Sequence, residues 1–480
     1  MSRRTHRRVL AAACLWAACA LVQAQQARDA LALPRTLAPS QLSRDLGTRS
    51  AVLLPEAPTS AAPLALNDAV RQAVARHPSI SDAIAALAQQ AGGVDVARAG
   101  YYPQIRVGTS SGSNNSSTSN SANQSAATLA TASVSQMLYD FGKVSGAVDQ
   151  SEAQVRRQQA AVLRQIDTVA QQTADAVVMA HRYQALVAIA QDQVKAVEKV
   201  LDTARLRANA GISTKADPIQ AESRVDSARA NLLQVVAQQA QWRERLRTLL
   251  GRFVPAEVAP LPDERVADSL RIDMPIDRDL TDLLPTVLSA EAERRAAVAQ
   301  LDVARAQRYP TISLDASVNK AMGGVNPGTL QRNGSYHAIA LNLSSVLYQG
   351  GALDAQVRAA VAAEEAARMR VEAARLDAGD QARGFREQAI GAKARLGVLA
   401  DRWRTIVEVR DLYREQYTLG TRSILDLLNA EQEIYQAAAE EEAVRHDLWQ
   451  SRIGFIGATG QARSFFGLND TTVQGMDLLP

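Results

Sequence analysis

VRRQQAAVLRQIDTVAQQTADAVVMAHRYQALVAIAQDQVKAVEKVL, residues 155–201, decides the fold. Val155, Val162, Val169, Ala176, Tyr183, Ala190 and Val197 recur every seven residues, and so do Ile166, Thr173, Ala180, Val187, Val194 and Leu201. Two interleaved heptad seams on one segment predict a helix that packs as a coiled coil. Outward from this core the pattern runs from Lys143 to Ala210 with no proline and a single glycine, Gly146. At 1.5 Å per residue such a helix reaches ~100 Å. It turns back at Gly211 into another helix of about 35 residues.

The second half of the chain repeats this plan. His77-Pro78-Ser79-Ile80 is echoed by Leu284-Pro285-Thr286-Val287, and Tyr102-Pro103 by Tyr309-Pro310. Leu138-Tyr139-Asp140-Phe141-Gly142 is echoed by Leu347-Tyr348-Gln349-Gly350-Gly351, and Gly211, Asp217, Ala221 and Glu222 by Gly420, Asp426, Ala430 and Glu431. The offsets are 207, 207, 209 and 209, which is the signature of a tandem duplication. The repeats are read as residues 64–250 and 281–460, joined by a Pro- and Asp-rich link over 251–280 and followed by a tail, 461–480. A Pro-rich leader covers 25–63.

Each repeat has the order helix, two strands, very long helix, turn, long helix. The first helix is expected over 66–100, ending before the extended Tyr102-Pro103 dipeptide. Ile105, Val107 and Thr109 alternate with Arg106 and Gly108; Ala130, Ala132 and Val134 alternate with Thr131, Ser133 and Ser135. Ile312, Leu314, Ala316 and Val318 alternate with polar residues, as do Ile339, Leu341 and Leu343. Period two with one polar and one apolar face predicts four half-exposed strands. The Ser/Asn/Thr run 110–125 reads as a solvated loop. Residues 351–416 are the counterpart long helix, turning at Gly420.

Composition narrows the class. The chain has 480 residues, 53 Lys+Arg against 50 Asp+Glu, and a formal charge of +3, a balance that argues against a nucleic-acid partner. Apolar residues are 47% and aromatics 4%; the difference is largely alanine, which favours closely packed helices. Residues 1–24 read as a signal peptide: Arg3, Arg4, Arg7 and Arg8, an apolar run over 9–22, and Val22-Gln23-Ala24 as the cleavage site. Its removal takes the charge to −1 and takes away both cysteines, Cys14 and Cys19, so no disulfide or thiolate metal site is expected. Trp16 makes the segment before Cys19 a poor lipidation signal. No later run of 18 apolar residues exists to form a membrane-spanning helix.

An exported chain with four amphipathic strands poses a problem. Four strands cannot close a barrel around a pore, and open edges are not tolerated in lipid. Other copies must complete the wall, and three copies supply twelve strands. The fold class expected is mainly α with a small β part. The same three-fold assembly gathers the long coiled-coil helices into a tube.

From Leu64 to Gly460 the chain resembles the TolC-like outer-membrane channel-tunnels. The features that carry this are the tandem repeat, the Tyr-Pro strand starts, the Leu138–Gly142 strand end, and the run Gln416-Tyr417-Thr418-Leu419-Gly420-Thr421-Arg422-Ser423-Ile424-Leu425-Asp426-Leu427-Leu428-Asn429-Ala430. The resemblance implies a homotrimer in contact with outer-membrane lipid in a Gram-negative cell. It implies that the helical tube is a periplasmic α-barrel and that the four strands enter a trimeric 12-stranded outer-membrane β-barrel. It implies docking to a periplasmic adaptor and an inner-membrane ABC or RND transporter that supplies the energy. It also implies that Asp217, Tyr417 and Arg422 form a latch closing the periplasmic entrance, with Asp426 in an acidic entrance ring. Family members with a stronger ring have a second acid one helical turn on, where this chain has Asn429. An exposed ion pair of this kind is worth ~1 kcal/mol, and three-fold repetition multiplies it. Local chemistry offers another role: Thr214-x-x-Asp217 and Ser423-x-x-Asp426 also read as helix-capping boxes.

Other signals carry little. Gly108-Thr109-Ser110-Ser111-Gly112 lacks the strand–turn–helix context of a hydrolase elbow. His77, His181, His337 and His446 show no metal spacing. Trp242, Trp403 and Trp449 read as packing anchors, and Glu372, Arg375, Asp377 and Asp380 as a solvated helix face. No catalytic site, metal or cofactor is expected. The leading functional expectation is a passive conduit for type I protein secretion. Small-molecule efflux is the alternative, and a non-channel periplasmic coiled-coil scaffold is the alternative of another class.

Overall fold

A computed structural model of the chain describes residues 63–116, 123–251, 258–262, 282–324, 326, 329, 331–469 and 471–477. The signal peptide, nearly all of the leader and most of the inter-repeat link lie outside these residues. Two helices open the first repeat, α1 (Leu66–Arg76) and α2 (Pro78–Arg98). The single helix expected over 66–100 is therefore broken. His77 precedes Pro78, whose ring excludes the helical conformation there, and His77 adopts φ −63°, ψ 125°. Pro78 then starts α2, where its missing N–H costs nothing.

Strands β1 (Gln104–Ser116) and β2 (Asn123–Tyr139) follow, then α3 (Lys143–Asn209), 67 residues long, and α4 (Ala216–Leu250). The second repeat supplies α5 (Pro285–Ala306), β3 (Thr311–Gly323), β4 (Ser335–Ser344), the 68-residue α6 (Ala352–Leu419) and α7 (Ile424–Ala458). Within the run 110–125, expected as a loop, residues 110–116 and 123–125 are strand, Ser111 pairing with Thr128 and Ser116 with Asn123, while 117–122 lie outside the described residues. Backbone pairing propagates along a strand pair without apolar side chains, so a polar composition does not by itself mark irregular chain.

The four strands form one antiparallel sheet in the order β1-β2-β3-β4, so the β2–β3 pair stitches the two repeats together. Register sorts the faces. Ile105, Val134, Ala316 and Ile339 lie in one cross-strand row, and Val107, Ala132 and Val318 in the next. The opposite face carries Arg106, Ser133 and Ser317. There Ser135 Oγ donates to Asp315 Oδ1 at 2.5 Å and Thr131 Oγ1 to Asn319 Oδ1 at 2.6 Å. Ile105, Val107, Ile339 and Leu341 are each about 70–80% exposed, an apolar surface with nothing packed on it in one chain.

Among the helices, α3 packs against α1, α2, α4, α5 and α7, whereas α6 packs against α5 and α7. The heptad seams of α3 explain this: Val155, Val162, Val169, Ala176, Ala190 and Val197 are buried, as are Ile166, Thr173, Ala180 and Leu201. Gly146 sits where α3 meets α5, and a Cβ there would stand 2.7 Å from Val303 Cγ2. Trp449 is buried in the main core and Trp242 packs against it. Trp403 does not anchor anything comparable: on the outward α6 it is 38% exposed. Arg375, read as part of a solvated face, instead joins α6 to α5 through Glu291 at 3.3 Å, and pairs with Asp282 at 2.8 Å. The segment read as a tail folds back. It forms α8 (Ala462–Phe465) and the short hairpin β5–β6 (Thr472–Val473, Met476–Asp477), with Phe466 fully buried. Arg71 Nε donates to the Phe466 carbonyl at 3.1 Å, and Gln474 Nε2 donates to the carbonyls of Val74 and His77.

Candidate functional site at the helix turns

Both long helices reverse at glycine. Gly211 has φ +72° and Gly420 φ +81°, the left-handed region that side chains with a Cβ avoid. At each turn a later N–H reaches back five residues, Ile212 to the Arg207 carbonyl at 2.9 Å and Thr421 to the Gln416 carbonyl at 3.0 Å. These bonds satisfy carbonyls that the helix ends would otherwise leave open. The two turns lie together, because Val197, Val200, Leu201, Ala204, Ala221, Val225, Tyr417, Ile424, Leu427 and Leu428 form one buried cluster from α3, α4, α6 and α7.

The polar residues of the expected latch surround this cluster. Tyr417 is 3% exposed, and its hydroxyl has no hydrogen-bond partner among the described residues. Burial pushes its phenol above the ordinary range, and the nearby Asp217 carboxylate adds to the rise. Asp217 Oδ1 accepts from Thr214 Oγ1 at 2.8 Å. Arg422 Nε lies 3.3 Å from Asp426 Oδ2, and its guanidinium lies 4.1 Å from the Tyr413 ring centroid. Within one chain, then, Asp217, Tyr417 and Arg422 sit at the same end, and the bonds of Asp217 and Arg422 go to other local partners.

The capping alternative holds at one turn. Ser423 Oγ accepts from the Asp426 N–H at 3.3 Å and donates to Asp426 Oδ2 at 3.0 Å. At the first turn the residue before α4 is Lys215 and no side chain caps the helix, although Thr214 and Asp217 still bond each other. Asn429 accepts from Arg224 Nη2 at 3.3 Å and so links α7 to α4. Two residues at this end were not singled out by the sequence. Arg207 donates to the Thr418 carbonyl at 2.8 Å and lies over the Tyr417 ring, tying the end of α3 to the end of α6. Glu431, 3% exposed, receives Arg410 and Arg414, each at 3.3 Å. Its echo of Glu222 was visible in the repeat, but its two arginines lie on the other helix of the hairpin.

The opposite end of the helices meets the sheet. Asp140, buried, accepts from the N–H groups of Gly142 at 3.0 Å and Val144 at 2.6 Å, capping the 67-residue helix with a carboxylate. This accounts for the Leu138–Gly142 motif. Tyr102, Tyr139, Phe141, Tyr309 and Tyr348 are all exposed at these strand–helix junctions, and Phe141 stacks on Tyr309 at 5.2 Å. In a chain with so few aromatics, such a collar matches the rings that line the border between lipid and water. Between the two ends, His181 and His446, 265 residues apart, stand 2.8 Å from each other. No spacing in the sequence could show this; only the packing of α3 on α7 creates it.

The sequence profile of the outer membrane efflux protein family matches residues 69–252 and 281–461, one segment in each repeat. Nodulation protein T of Rhizobium leguminosarum bv. trifolii is 24% identical over 379 residues, covering 77% of this chain and 79% of the relative. The pyoverdine export outer membrane protein OpmQ of Pseudomonas aeruginosa is 27% identical over 267 residues, 55% of each chain. Among solved structures, CusC superposes with a TM-score of 0.74 at 16% identity, over 82% of this chain and 91% of CusC. Duplicated sequence, sheet-capped helices and paired helix turns all agree with these matches: the chain belongs to the outer membrane efflux protein family, the TolC-like channel-tunnels.

Proposed function

We propose that three copies of the chain form a passive export conduit through the outer membrane, with the long helices extending into the periplasm toward an adaptor and an inner-membrane pump. One observation carries this reading. The sheet has an apolar and a polar face and two free edges, at β1 and β4. Pairing β4 of one copy with β1 of the next removes every edge, turns the apolar rows to lipid and the Ser135–Asp315 face to water. The aromatic collar then lies at the membrane border. A soluble coiled-coil scaffold has no use for such a sheet.

The latch belongs between copies in this reading. Asp217, Tyr417 and Arg422 meet near the axis when three turns converge, and Asp426 forms the entrance ring. The uncharged Asn429 leaves that ring with one acid per chain. For cargo, OpmQ, by its name, exports pyoverdine, which favours a small molecule. Trp16 makes the segment before Cys19 a poor lipidation signal, which favours the unlipidated, protein-secreting branch. Deleting the gene and assaying both secreted proteins and dye retention separates the two. The conduit itself is tested by purifying the protein from outer-membrane fractions. An oligomer that dissociates on heating and conducts ions in planar bilayers is expected; a soluble periplasmic product without conductance overturns the reading.

A further inference from the structure

The histidine pair lies apart from both ends of the helical body and has no part in the conduit or its gate. His446 is fully buried on α7, and its Nδ1 lies 2.7 Å from the Glu442 carbonyl oxygen. A carbonyl only accepts, so Nδ1 holds the proton and Nε2 of the neutral ring presents a lone pair toward His181 Nδ1, 2.8 Å away on α3. Glu442 stands one turn before His446, with Oε1 3.5 Å from Nδ1 of that ring. Its other oxygen accepts from Arg445 Nη1 at 2.5 Å. One ligand atom from each of His181, Glu442 and His446 lies within 4.8 Å of the others.

We propose that His181, His446 and Glu442 form a binding site for a divalent transition metal of the zinc type, fastening the first repeat to the second midway along the helices. The donor set is selective: two imidazoles and a carboxylate suit zinc and its neighbours, whereas calcium and magnesium require oxygen. The Nδ1–H···O=C bond of His446 is the outer contact that orients a metal-bound imidazole. Zinc–nitrogen bonds of ~2.1 Å place two ligands of a tetrahedral ion ~3.4 Å apart. From 2.8 Å the rings must therefore part by roughly 0.6 Å, and His181 must move its proton to Nε2. His181 is only half-buried, which leaves a route for the ion and a fourth position for water.

The full-length protein in detergent, stripped with chelator, is titrated with Zn²⁺ by calorimetry and with Co²⁺ by visible absorption. One ion per chain is expected, with the ligand-field bands of four-coordinate Co²⁺. His181→Ala should weaken Zn²⁺ binding by tenfold or more, and Glu442→Gln should shift the Co²⁺ spectrum. Because His446 is buried, His446→Gln is read only if the heat-sensitive oligomer still forms; His181→Ala is the decisive variant. Zn²⁺ binding no stronger in the unaltered chain than in His181→Ala overturns the proposal and shows a plain imidazole–imidazole hydrogen bond. Conductance is unaffected by that outcome, so the conduit reading stands or falls separately.

Discussion

Asp167 and Asp175 are acids held inside the helical body on α3, and burial pushes each up to about 6 from the usual 3.8. Arg463, 3.4 Å from Asp167, offsets part of the rise there. A carboxyl raised on folding takes up a proton as the chain folds, so its contribution is full below pH 3.8 and is lost as pH rises through 6. Each such shift is worth on the order of 3 kcal/mol. Thermal midpoints of the purified protein should therefore climb as pH falls from 8 to 5. Asp175→Asn should raise the midpoint at pH 8 and flatten the slope; an unchanged profile would show that the acid is solvated. In the proposed latch between copies, Asp217→Ala and Arg422→Ala each remove a link of ~1 kcal/mol, enough to shift an open–closed balance roughly fivefold per link. Single-channel conductance in planar bilayers should rise in both variants, and no rise in either removes the latch. The repeat marked Asp217 and Asp426 as paired helix-start acids, whereas the latch role of Asp217, Tyr417 and Arg422 is implied only by the family resemblance. Arg207 and the arginines of Glu431 were not legible, because a partner 211 residues away or across a hairpin leaves no local spacing to read.

Elements were more legible than residues wherever a period was long. Heptads running through α3 marked its length and its buried face, and two-residue alternation marked all four strands. The reading failed where composition stood in for geometry: residues 110–116 and 123–125 of the polar run are paired strand, and Pro78 breaks what seemed one helix. Gly146 shows the opposite, a single residue whose meaning appears only in the packing. Its missing Cβ lets α3 approach Val303 and the Ala299 carbonyl of α5. Gly146→Leu should destabilise the fold by about 1–3 kcal/mol, lowering the urea midpoint, and adding Val303→Ala should recover part of the loss. Equal loss in the single and double variants would mean that the contact is not the cause.

For the whole molecule, one chain is visibly a fragment of something larger. Met369, Leu376, Ile390, Leu412 and Leu419 are all exposed on α6, with Met369–Leu376 and Leu412–Leu419 seven residues apart and Leu376–Ile390 fourteen. A seam at this spacing with no partner in its own chain needs another helix. Leu376→Glu with Ile390→Glu should abolish the heat-sensitive oligomer on unheated gels while circular dichroism keeps its helical signal; an intact oligomer would place the interface elsewhere. The sheet adds a genetic consequence. Its two edges are different strands, so in the proposed trimer each copy offers one and receives the other, and the ring closes only when every member is sound. An allele that spoils either edge should then be dominant. With equal expression of sound and defective chains, about one trimer in eight would be wholly sound, so a heterozygous cell would export far less than half as much.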